Sequence, residues 1–352
     1  MRFRNRLALL FIGMILFSSF LGGYGLSASG ATEAGKSVLI LDIPRFDPGD
    51  ISPRYPNLMK LLKSAAVGMM TTPLADPLTL EKVYLSFNSG AQVKAPPDNN
   101  GIYNCREEAQ GETAGALYQK MTGIQAPEAG AVNLGFPKMI QQNDPALQPS
   151  LGLFGKLLHD HGIRTAAIGN ADGDMVNRSG AAMIMDQNGI IDWGAVGRET
   201  LTEDPLFPYG LRTNYDQILN YWSQLKSKAS VMVITLGDLE RIDRFGVYLD
   251  QNGWNEYRKL AMRNYDDFLG RILPKIDFDH AMLLVFTALP PGKELTPGSR
   301  LTPVIAKGPG LRAGLLSSNS TRKKGIVTCY DLPLSILSFL NIKTQGAYNG
   351  YP

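Results

Sequence analysis

Oxygen-bearing side chains follow several stretches of sequence that have the character of buried strands. Asp42 ends the apolar run "VLILD", and Asp238 follows the run "VMVITLG". Asn170 and Asp172 come directly after the run "RTAAIG". Carboxylate and amide oxygens are the ligands that hard divalent cations prefer, so these residue types predict a metal site if they converge. The alternative is that polar residues simply stand where strands emerge into water.

The elements that must position these residues alternate in type along the chain. "SVLILDI" is a continuous aliphatic run, typical of a strand buried on both faces, and "PNLMKLLKSA" has the apolar spacing of a helix that begins at a proline. Repetition of this order predicts an α/β fold with a mostly parallel sheet covered by helices on both faces. In such sheets ligands bind beyond the carboxyl ends of the strands, where the oxygen-bearing residues stand.

The sequence predicts one large α/β domain over residues 36–352. Residues 94–150 depart from the alternation, because "KAPPDNNG", "QAPEAGA" and "NDPALQP" break the segment into short pieces. We therefore expect this segment to be an insertion or cap on the domain rather than part of its core.

The first 31 residues have the pattern of an export segment. Three arginines precede an apolar run over residues 7–21, and Ala28 and Gly30 are placed like a small-residue cleavage site. Cleavage would give a secreted protein, whereas an uncleaved run is long enough to anchor the chain in the cytoplasmic membrane. Both alternatives place the body of the protein outside that membrane.

Composition and cysteine usage narrow the classes of function. With 44% hydrophobic and 19% charged residues in 352, the composition is that of an ordinary globular protein. A formal net charge of +3, with scattered basic residues, excludes a nucleic-acid footprint. The two cysteines, Cys105 and Cys329, could pair in an exported chain or remain as separate buried thiols, and the sequence leaves both alternatives open.

The order of motifs resembles the alkaline-phosphatase superfamily, which includes phosphodiesterases, sulfatases and cofactor-independent phosphoglycerate mutases. Each motif is short, and together they span nearly the whole body of the chain. The matching pieces are "LILDIPRFD", "PNLMKLLKSAAVG", Thr79, "YLSFNSG", "GLFGKLLHDHGIRTAAIGN", "VMVITLGDLERIDRFG", "PVIAKGPG" and "GIVTCYDLPLSILSFLNI". The resemblance implies an alkaline-phosphatase-like fold, with a nucleophile at the start of the helix that ends in "YLSFNSG".

The resemblance also implies a chemistry and the residues that perform it. In the superfamily a Thr or Ser hydroxyl attacks a phosphate or sulfate ester after one divalent cation has stabilised its alkoxide, while a second cation polarises the ester oxygens. Carried over to the matching positions, Thr79 is the nucleophile and Asp42 is a metal ligand. Asp238 or Asp243 is a further ligand.

The histidines depart from the superfamily pattern. A two-zinc site of this kind uses about three histidines from separate strand ends, and the chain has only His159, His161 and His280. His159 and His161 are two residues apart on one predicted helix and therefore point away from each other, while His280 precedes its strand. We therefore expect no two-zinc site. The carboxylates could still hold one Mg²⁺, Mn²⁺ or Ca²⁺.

Two functions remain open on the sequence alone. The first hypothesis is a non-catalytic or strongly reduced relative that binds a protein partner, an anionic small molecule or an anionic envelope component. Arg241, Arg244 and the run "TRKK" at 321–324 are its candidate basic mouth. The second hypothesis is a metal-dependent hydrolase of phosphate or sulfate esters with Thr79 as nucleophile. The missing histidines favour the first, and the presence of Asp42 and Thr79 favours the second.

Overall fold

A computed structural model of the chain describes residues 35–75, 77–94, 101–143, 150–293, 300–344 and 348–351. The predicted export or anchor segment, residues 1–31, lies outside the described residues, and its fate stays a prediction. Within the described ranges, no helix is long and apolar enough to cross a membrane.

Strands and helices follow one another in the alternating order that the sequence predicts. The strands of the described residues are β1 (Ser37–Asp42), β2 (Ala66–Thr71), β3 (Ile102–Asn104), β4 (Glu108–Ala109), β5 (Glu112–Thr113), β6 (Ala131–Asn133), β7 (Thr165–Ile168), β8 (Ile190–Ile191), β9 (Trp193–Ala195), β10 (Leu201–Glu203), β11 (Leu211–Thr213), β12 (Val231–Thr235), β13 (Ala281–Phe286), β14 (Thr302–Lys307), β15 (Gly314–Leu315) and β16 (Ile326–Thr328). The α-helices are α1 (Pro56–Ser64), α2 (Leu80–Ser89), α3 (Ala114–Thr122), α4 (Phe136–Gln142), α5 (Leu153–Asp160), α6 (Tyr215–Leu225), α7 (Asp238–Phe245), α8 (Gln251–Ile272) and α9 (Asp331–Phe339). A 3-10 helix, Ser179–Ile184, packs against α2.

The central sheet has nine strands in the order β15–β2–β14–β13–β1–β12–β7–β9, with β16 paired to β2. Strand β14 runs antiparallel to both of its neighbours, and the other pairs are parallel. The prediction of a mostly parallel sheet is therefore confirmed. Strand β1 lies inside the sheet, where Asp42 is in register with Thr235 of β12 and Phe286 of β13.

Helices cover both faces of the sheet because its inner strands are apolar on both sides. Val38 and Ile40 of β1 belong to the core that α2, α5 and α9 cover, whereas Leu39 and Leu41 belong to the core under α1, α6, α7 and α8. This is the period-two alternation of a strand. Asp42 continues the series of Val38 and Ile40, so its carboxylate meets the face that α2 covers.

Residues 101–143, together with strand β8, build smaller sheets outside the central one. Strands β3, β6 and β8 form a three-stranded antiparallel sheet, and β4 and β5 form a hairpin. Together with α3 they enclose a small apolar cluster of their own. This arrangement is what an insertion would show, but residues 95–100 and 144–149 lie outside the described residues. The boundaries 94–150 stay a prediction.

The two cysteine thiols are free and buried. Cys105 belongs to the apolar cluster of residues 101–143, and Cys329 belongs to the main core. Burial raises the pKa of the Cys105 thiol to about 11 and raises the pKa of Cys329 well above its usual range. Of the two alternatives that the sequence left open, the structure has the unpaired thiols.

Candidate functional site

Polar and charged side chains converge at the carboxyl end of β1. They come from the loop after β1, from the start of α2, from the end of β12 and from α7, which are separate in sequence and meet at one edge of the sheet. We call this set the strand-end cluster, and its members are Asp42, Arg45, Thr79, Glu81, Tyr84, Thr235, Glu240 and Asp243.

The carboxylate of Asp42 is fully buried and is covered by hydroxyl groups. The Tyr84 phenol donates to both of its oxygens at 3.0 Å, and the Thr235 hydroxyl donates to Oδ2 at 3.1 Å. The pKa of Asp42 is raised to about 7, chiefly by burial. The charge of Glu240 contributes to this rise, and the hydrogen bonds from Tyr84 and Thr235 act against it. No cation is among the groups that shift this pKa.

The backbone of Gly180 closes the site on another side of Asp42. A Cβ atom added to this glycine would lie 2.5 Å from Asp42 Oδ2 and 2.4 Å from Thr235 Oγ1. Both distances are shorter than van der Waals contact, so the 3-10 helix leaves no room for a methyl group there. Glycine is required at position 180 by this close approach rather than by its backbone angles.

Arg45 brings a positive charge to the remaining carboxylates. Its Nε lies 2.6 Å from Glu240 Oε2 and 3.4 Å from Asp243 Oδ2, and its Nη1 donates to the Pro290 carbonyl at 2.9 Å. The residue has φ 67°, a left-handed backbone conformation that is uncommon outside glycine. A strained backbone at a buried ion pair indicates that the surrounding structure holds the guanidinium in this place.

Thr79 stands at the predicted position, directly before α2. Its hydroxyl accepts from the Lys82 backbone N–H at 3.3 Å, which makes it the N-cap, and the helix ends at Gly90 with φ 67°. Burial raises the pKa of the Glu81 carboxyl, although a hydrogen bond from the Thr79 hydroxyl works against this rise. The charges of Glu240 and Arg45 also act on Glu81, which joins Thr79 to the strand-end cluster.

Asp238 lies in a different network from Asp243, although both belong to α7. Its Oδ1 accepts from Thr213 and from Arg241 Nη1, and its Oδ2 accepts from the Tyr215 phenol at 2.6 Å. Asp243 instead faces Arg45 and accepts from the Gly292 backbone N–H at 2.8 Å. The structure thus brings Asp42, Thr79 and Asp243 to the strand-end cluster and directs Asp238 elsewhere.

The histidines contact groups outside the strand-end cluster. His159 Nε2 lies 2.7 Å from Asp192 Oδ2, and His161 Nδ1 lies 2.8 Å from the Leu157 carbonyl. His280 Nδ1 lies 2.9 Å from a carboxylate oxygen of Asp277, in the turn before β13. Each imidazole ring is thus oriented by a hydrogen bond within the protein.

Two residues of the candidate basic mouth are paired with carboxylates in the structure. The Arg241 side chain is 0% exposed and is held by Asp238, while Arg244 pairs with Asp174 at 2.6 Å. The run 321–324 lies in an exposed turn before β16. One of these cations is thus buried, and Arg244 already has a carboxylate partner.

The fold of the chain is similar to that of several solved structures. No family model and no curated protein sequence matches the chain. A protein of the alkaline phosphatase superfamily from Vibrio parahaemolyticus matches with a TM-score of 0.55 at 12% identity, over 90% of this chain and 69% of that one. The lipoteichoic acid synthase LtaP from Listeria monocytogenes matches with a TM-score of 0.54 at 12% identity, over 89% and 74%. The chain has the alkaline-phosphatase fold.

A protein from Pyrococcus horikoshii extends this likeness, with a TM-score of 0.52 at 12% identity over 88% of this chain and 98% of that one. The resemblance seen in the sequence is therefore confirmed for the architecture. At 12% identity these similarities establish the alkaline-phosphatase fold but give no information on activity.

The side chains that stand at this edge of the alkaline-phosphatase fold do not fit a divalent cation. Both oxygens of Asp42 accept from neutral hydroxyls, and the Arg45 guanidinium bridges Glu240 and Asp243. Across the described parts of the chain, no group of three or more His, Cys, Asp and Glu side chains is arranged to hold a metal ion. One Mg²⁺, Mn²⁺ or Ca²⁺ on Asp42 and Asp243 would require these partners to move.

Several residues of the strand-end cluster were missed from the sequence. Glu240 had a signal, because it stands three residues before Asp243 and shares a helix face with it. Arg45 and Glu81 had weaker signals, since each lies within three residues of a predicted site residue. Tyr84 had none, because nothing in its spacing distinguishes it from a core aromatic residue.

Proposed function

We propose that this chain is an extracytoplasmic protein with the alkaline-phosphatase fold that does not hydrolyse esters and acts as a binding or scaffolding module for a protein partner. The pattern of the first 31 residues supports its export. The closed arrangement of the strand-end cluster supports its lack of hydrolytic activity.

One observation carries the proposal, namely the Arg45 guanidinium between Glu240 and Asp243. A guanidinium stays protonated and has no site for coordination, so it neutralises carboxylates without activating a hydroxyl as a bound metal does. The Arg45 guanidinium thus occupies the position between the Glu240 and Asp243 carboxylates where a metal ion could otherwise bind. Among the described residues, the contacts of the Thr79 hydroxyl are with the Lys82 backbone N–H and the Glu81 carboxyl, and not with a cationic side chain.

The charge of the strand-end cluster favours a protein partner over an anionic ligand. The strand-end cluster contains four carboxyl groups, those of Asp42, Glu81, Glu240 and Asp243, and its guanidinium pairs with the last two. A phosphate or sulfate group brought to this edge would be repelled by the excess of negative charge. A basic side chain or amine of a partner would instead be attracted.

A second candidate rests on Thr79 and Glu81 at the start of α2, where burial raises the pKa of the Glu81 carboxyl and the Thr79 hydroxyl lowers it. A hydroxyl hydrogen-bonded to a carboxylate of raised pKa is a nucleophile beside a general base. If Tyr84 and Arg45 moved aside, Asp42 and Asp243 would offer oxygens to one Mg²⁺, Mn²⁺ or Ca²⁺, and the chain would hydrolyse phosphate or sulfate esters.

The two candidates are separated by turnover and by metal content. Purified full-length protein and Thr79→Ala are assayed on aryl phosphate, aryl phosphodiester and aryl sulfate with Mg²⁺, Mn²⁺, Ca²⁺ or Zn²⁺, and with a chelator. We expect no turnover and no stoichiometric metal by mass spectrometry. Turnover that disappears in Thr79→Ala, with circular dichroism unchanged, would overturn the proposal and support the hydrolase.

A second experiment tests the role of Arg45 directly. We expect Arg45→Ala to be less stable, because Glu240 and Asp243 lose their buried cation, and we expect millimolar Mn²⁺ to restore part of the melting temperature. The control is Arg164→Ala, whose side chain is 65% exposed although it pairs with Asp192. Mn²⁺ should not change its melting temperature. An equal response of both variants to Mn²⁺ would contradict the role assigned to Arg45.

A further inference from the structure

A polar cleft of about 300 Å³ opens between the β10–β11 hairpin, the start of α6 and the C-terminal part of α8. Its volume is at the lower end of the range for pockets that hold small ligands, about 300–1,000 Å³. The side chains that matter for recognition are Thr202, Arg212, Asn264, Asp267, Phe268 and Arg271. None of them belongs to the strand-end cluster.

The two guanidinium groups of the cleft already have carboxylate partners. Arg212 Nε lies 3.0 Å from Asp204 Oδ2, and Arg271 Nη2 lies 2.5 Å from Asp216 Oδ1. The lining of the cleft has two guanidiniums, Arg212 and Arg271, and two carboxylates, Asp216 and Asp267. A phosphate, sulfate or carboxylate ligand would therefore meet no unpaired cation here.

The hydrogen-bonding groups that stay free are neutral or acidic. The side chains of Thr202, Asn264 and Asp267 form no hydrogen bond with any other residue that the structure describes. Together they offer a hydroxyl, an amide and a carboxylate, a set with more acceptors than donors. A ligand with several hydrogen-bond donors on a small frame, such as a polyhydroxylated ring, would satisfy this set.

The floor of the cleft is aromatic and fixed. Phe268 is 1% exposed, and its ring centroid lies 5.8 Å from that of Tyr215, whose phenol donates to Asp238. Tyr215 is 8% exposed, so the two rings lie beneath the polar side chains and close the cleft from below. Because the Tyr215 hydroxyl is bonded within the protein, the floor is held in place before any ligand arrives.

We propose that this cleft binds a neutral sugar ring. The C–H face of the ring would lie toward the aromatic floor, and its hydroxyls would donate to Asp267 and Thr202 and exchange hydrogen bonds with the Asn264 amide. This site goes beyond the proposed function and does not depend on the state of the strand-end cluster.

The test measures binding by saturation-transfer NMR and calorimetry on the full-length protein in a zwitterionic detergent without sugar head groups. The probes are glucose, galactose, N-acetylglucosamine, glucose 6-phosphate and inorganic phosphate. We expect at least one neutral sugar to bind with a Kd of about 1 mM. Asn264→Leu and Asp267→Ala should each weaken that binding at least tenfold, because each removes partners of the sugar hydroxyls.

The matched control is Asn252→Leu, the same substitution on an exposed part of α8 outside the cleft. It should leave the affinity unchanged. No saturation transfer to any neutral sugar would overturn the proposal. Full affinity in both cleft variants, or tighter binding of the phosphate-bearing probes than of neutral sugars, would overturn it equally. Since the readout is binding, an ester hydrolase activity found elsewhere would refute the proposed function and leave this result standing.

Discussion

Asp42 and Asp192 are buried carboxylates at opposite ends of the central sheet, and their surroundings differ in kind. Asp42 ends β1 and meets only hydroxyl donors, so burial raises its pKa to about 7. Burial also raises the pKa of Asp192, but hydrogen bonds from His159, Thr165 and Arg164 outweigh it and hold that pKa well below its usual range. The amino end of the sheet is thus built for stability, whereas the carboxyl end carries a charge that destabilises the fold.

That contrast indicates where function resides. Proteins tolerate an electrostatic cost at a site that does something other than hold the fold together. The strand-end cluster has such a cost, since burial also raises the pKa of Asp243 and of Glu81. In the Asp192 network the donors outweigh the cost of burial, and the network lies at the edge where parallel sheets do not bind ligands.

The largest expected effect is that of Asp192→Ala. Removal of this carboxylate leaves His159, Arg164 and the Thr165 backbone N–H without their common acceptor, and we expect a loss of about 3 kcal/mol of unfolding free energy. Urea denaturation followed by circular dichroism measures it. The control is Asp160→Ala, which breaks an exposed pair with Lys156 and should cost about 0.5 kcal/mol or less. Equal losses of unfolding free energy in the two variants would show that the Asp192 network stabilises the fold no more than an exposed ion pair does.

Asp42→Asn should act in the opposite direction. Loss of a buried charge with a raised pKa should add about 2 kcal/mol to the unfolding free energy at pH 8, and little at about pH 3, where the carboxyl is mostly protonated in both the folded and the unfolded state. The control is Asp331→Asn. That carboxylate accepts from Ser318, Ser320 and the Thr328 backbone N–H, so its replacement should destabilise. A loss of stability and of bound metal in Asp42→Asn would mean that Asp42 is a metal ligand.

The stability given by His159 should depend on pH. Hydrogen bonds to Asp186 and Asp192 raise its pKa from 6.5 to about 9 in the folded chain, against the effect of burial. Its contribution is therefore fully present below about pH 6.5 and is lost as the pH rises through 9. His159→Gln should cost about 1.5 kcal/mol at pH 6 and almost nothing at pH 10. His161→Gln, whose ring contacts a carbonyl and no carboxylate, is the control. The same cost at both pH values would show that the pairing is not ionic.

The sequence predicted the fold because strand and helix signals are local. Apolar runs, a proline at the start of α1 and Thr79 at the N-cap of α2 are properties of neighbouring residues, and all appear where expected. The position of Asp42 followed from the same local pattern. The resemblance to the superfamily then implied the alkaline-phosphatase-like fold, while the order of the strands in the sheet was not predicted.

The partners of the site residues could not be predicted in the same way. Arg45 and Glu240 are 195 positions apart, and Tyr84 is 42 positions from Asp42, so their contacts exist only after the sheet has assembled. Asp238 and Asp243 shared one pattern, yet the rotation of α7 turns one carboxylate to Arg45 and the other to Arg241. Residue type and spacing identify candidate site residues, and tertiary packing determines which donor each carboxylate oxygen contacts.

The smallest expected effect is at Thr79 and decides whether its hydroxyl is more than a helix cap. Thr79 and Thr113 are both N-caps, with hydroxyls that accept backbone N–H groups at 3.3 Å and 3.4 Å. Replacement by Ala should cost about 1 kcal/mol at position 79 and less at the more exposed position 113. Both losses are measured by urea denaturation. Thr79→Ser should keep the cap and the contact with Glu81 and restore the stability. If Thr79→Ala instead stabilises the chain, its hydroxyl is held at an energetic cost, and the carboxyl edge of the sheet keeps a nucleophile ready for use.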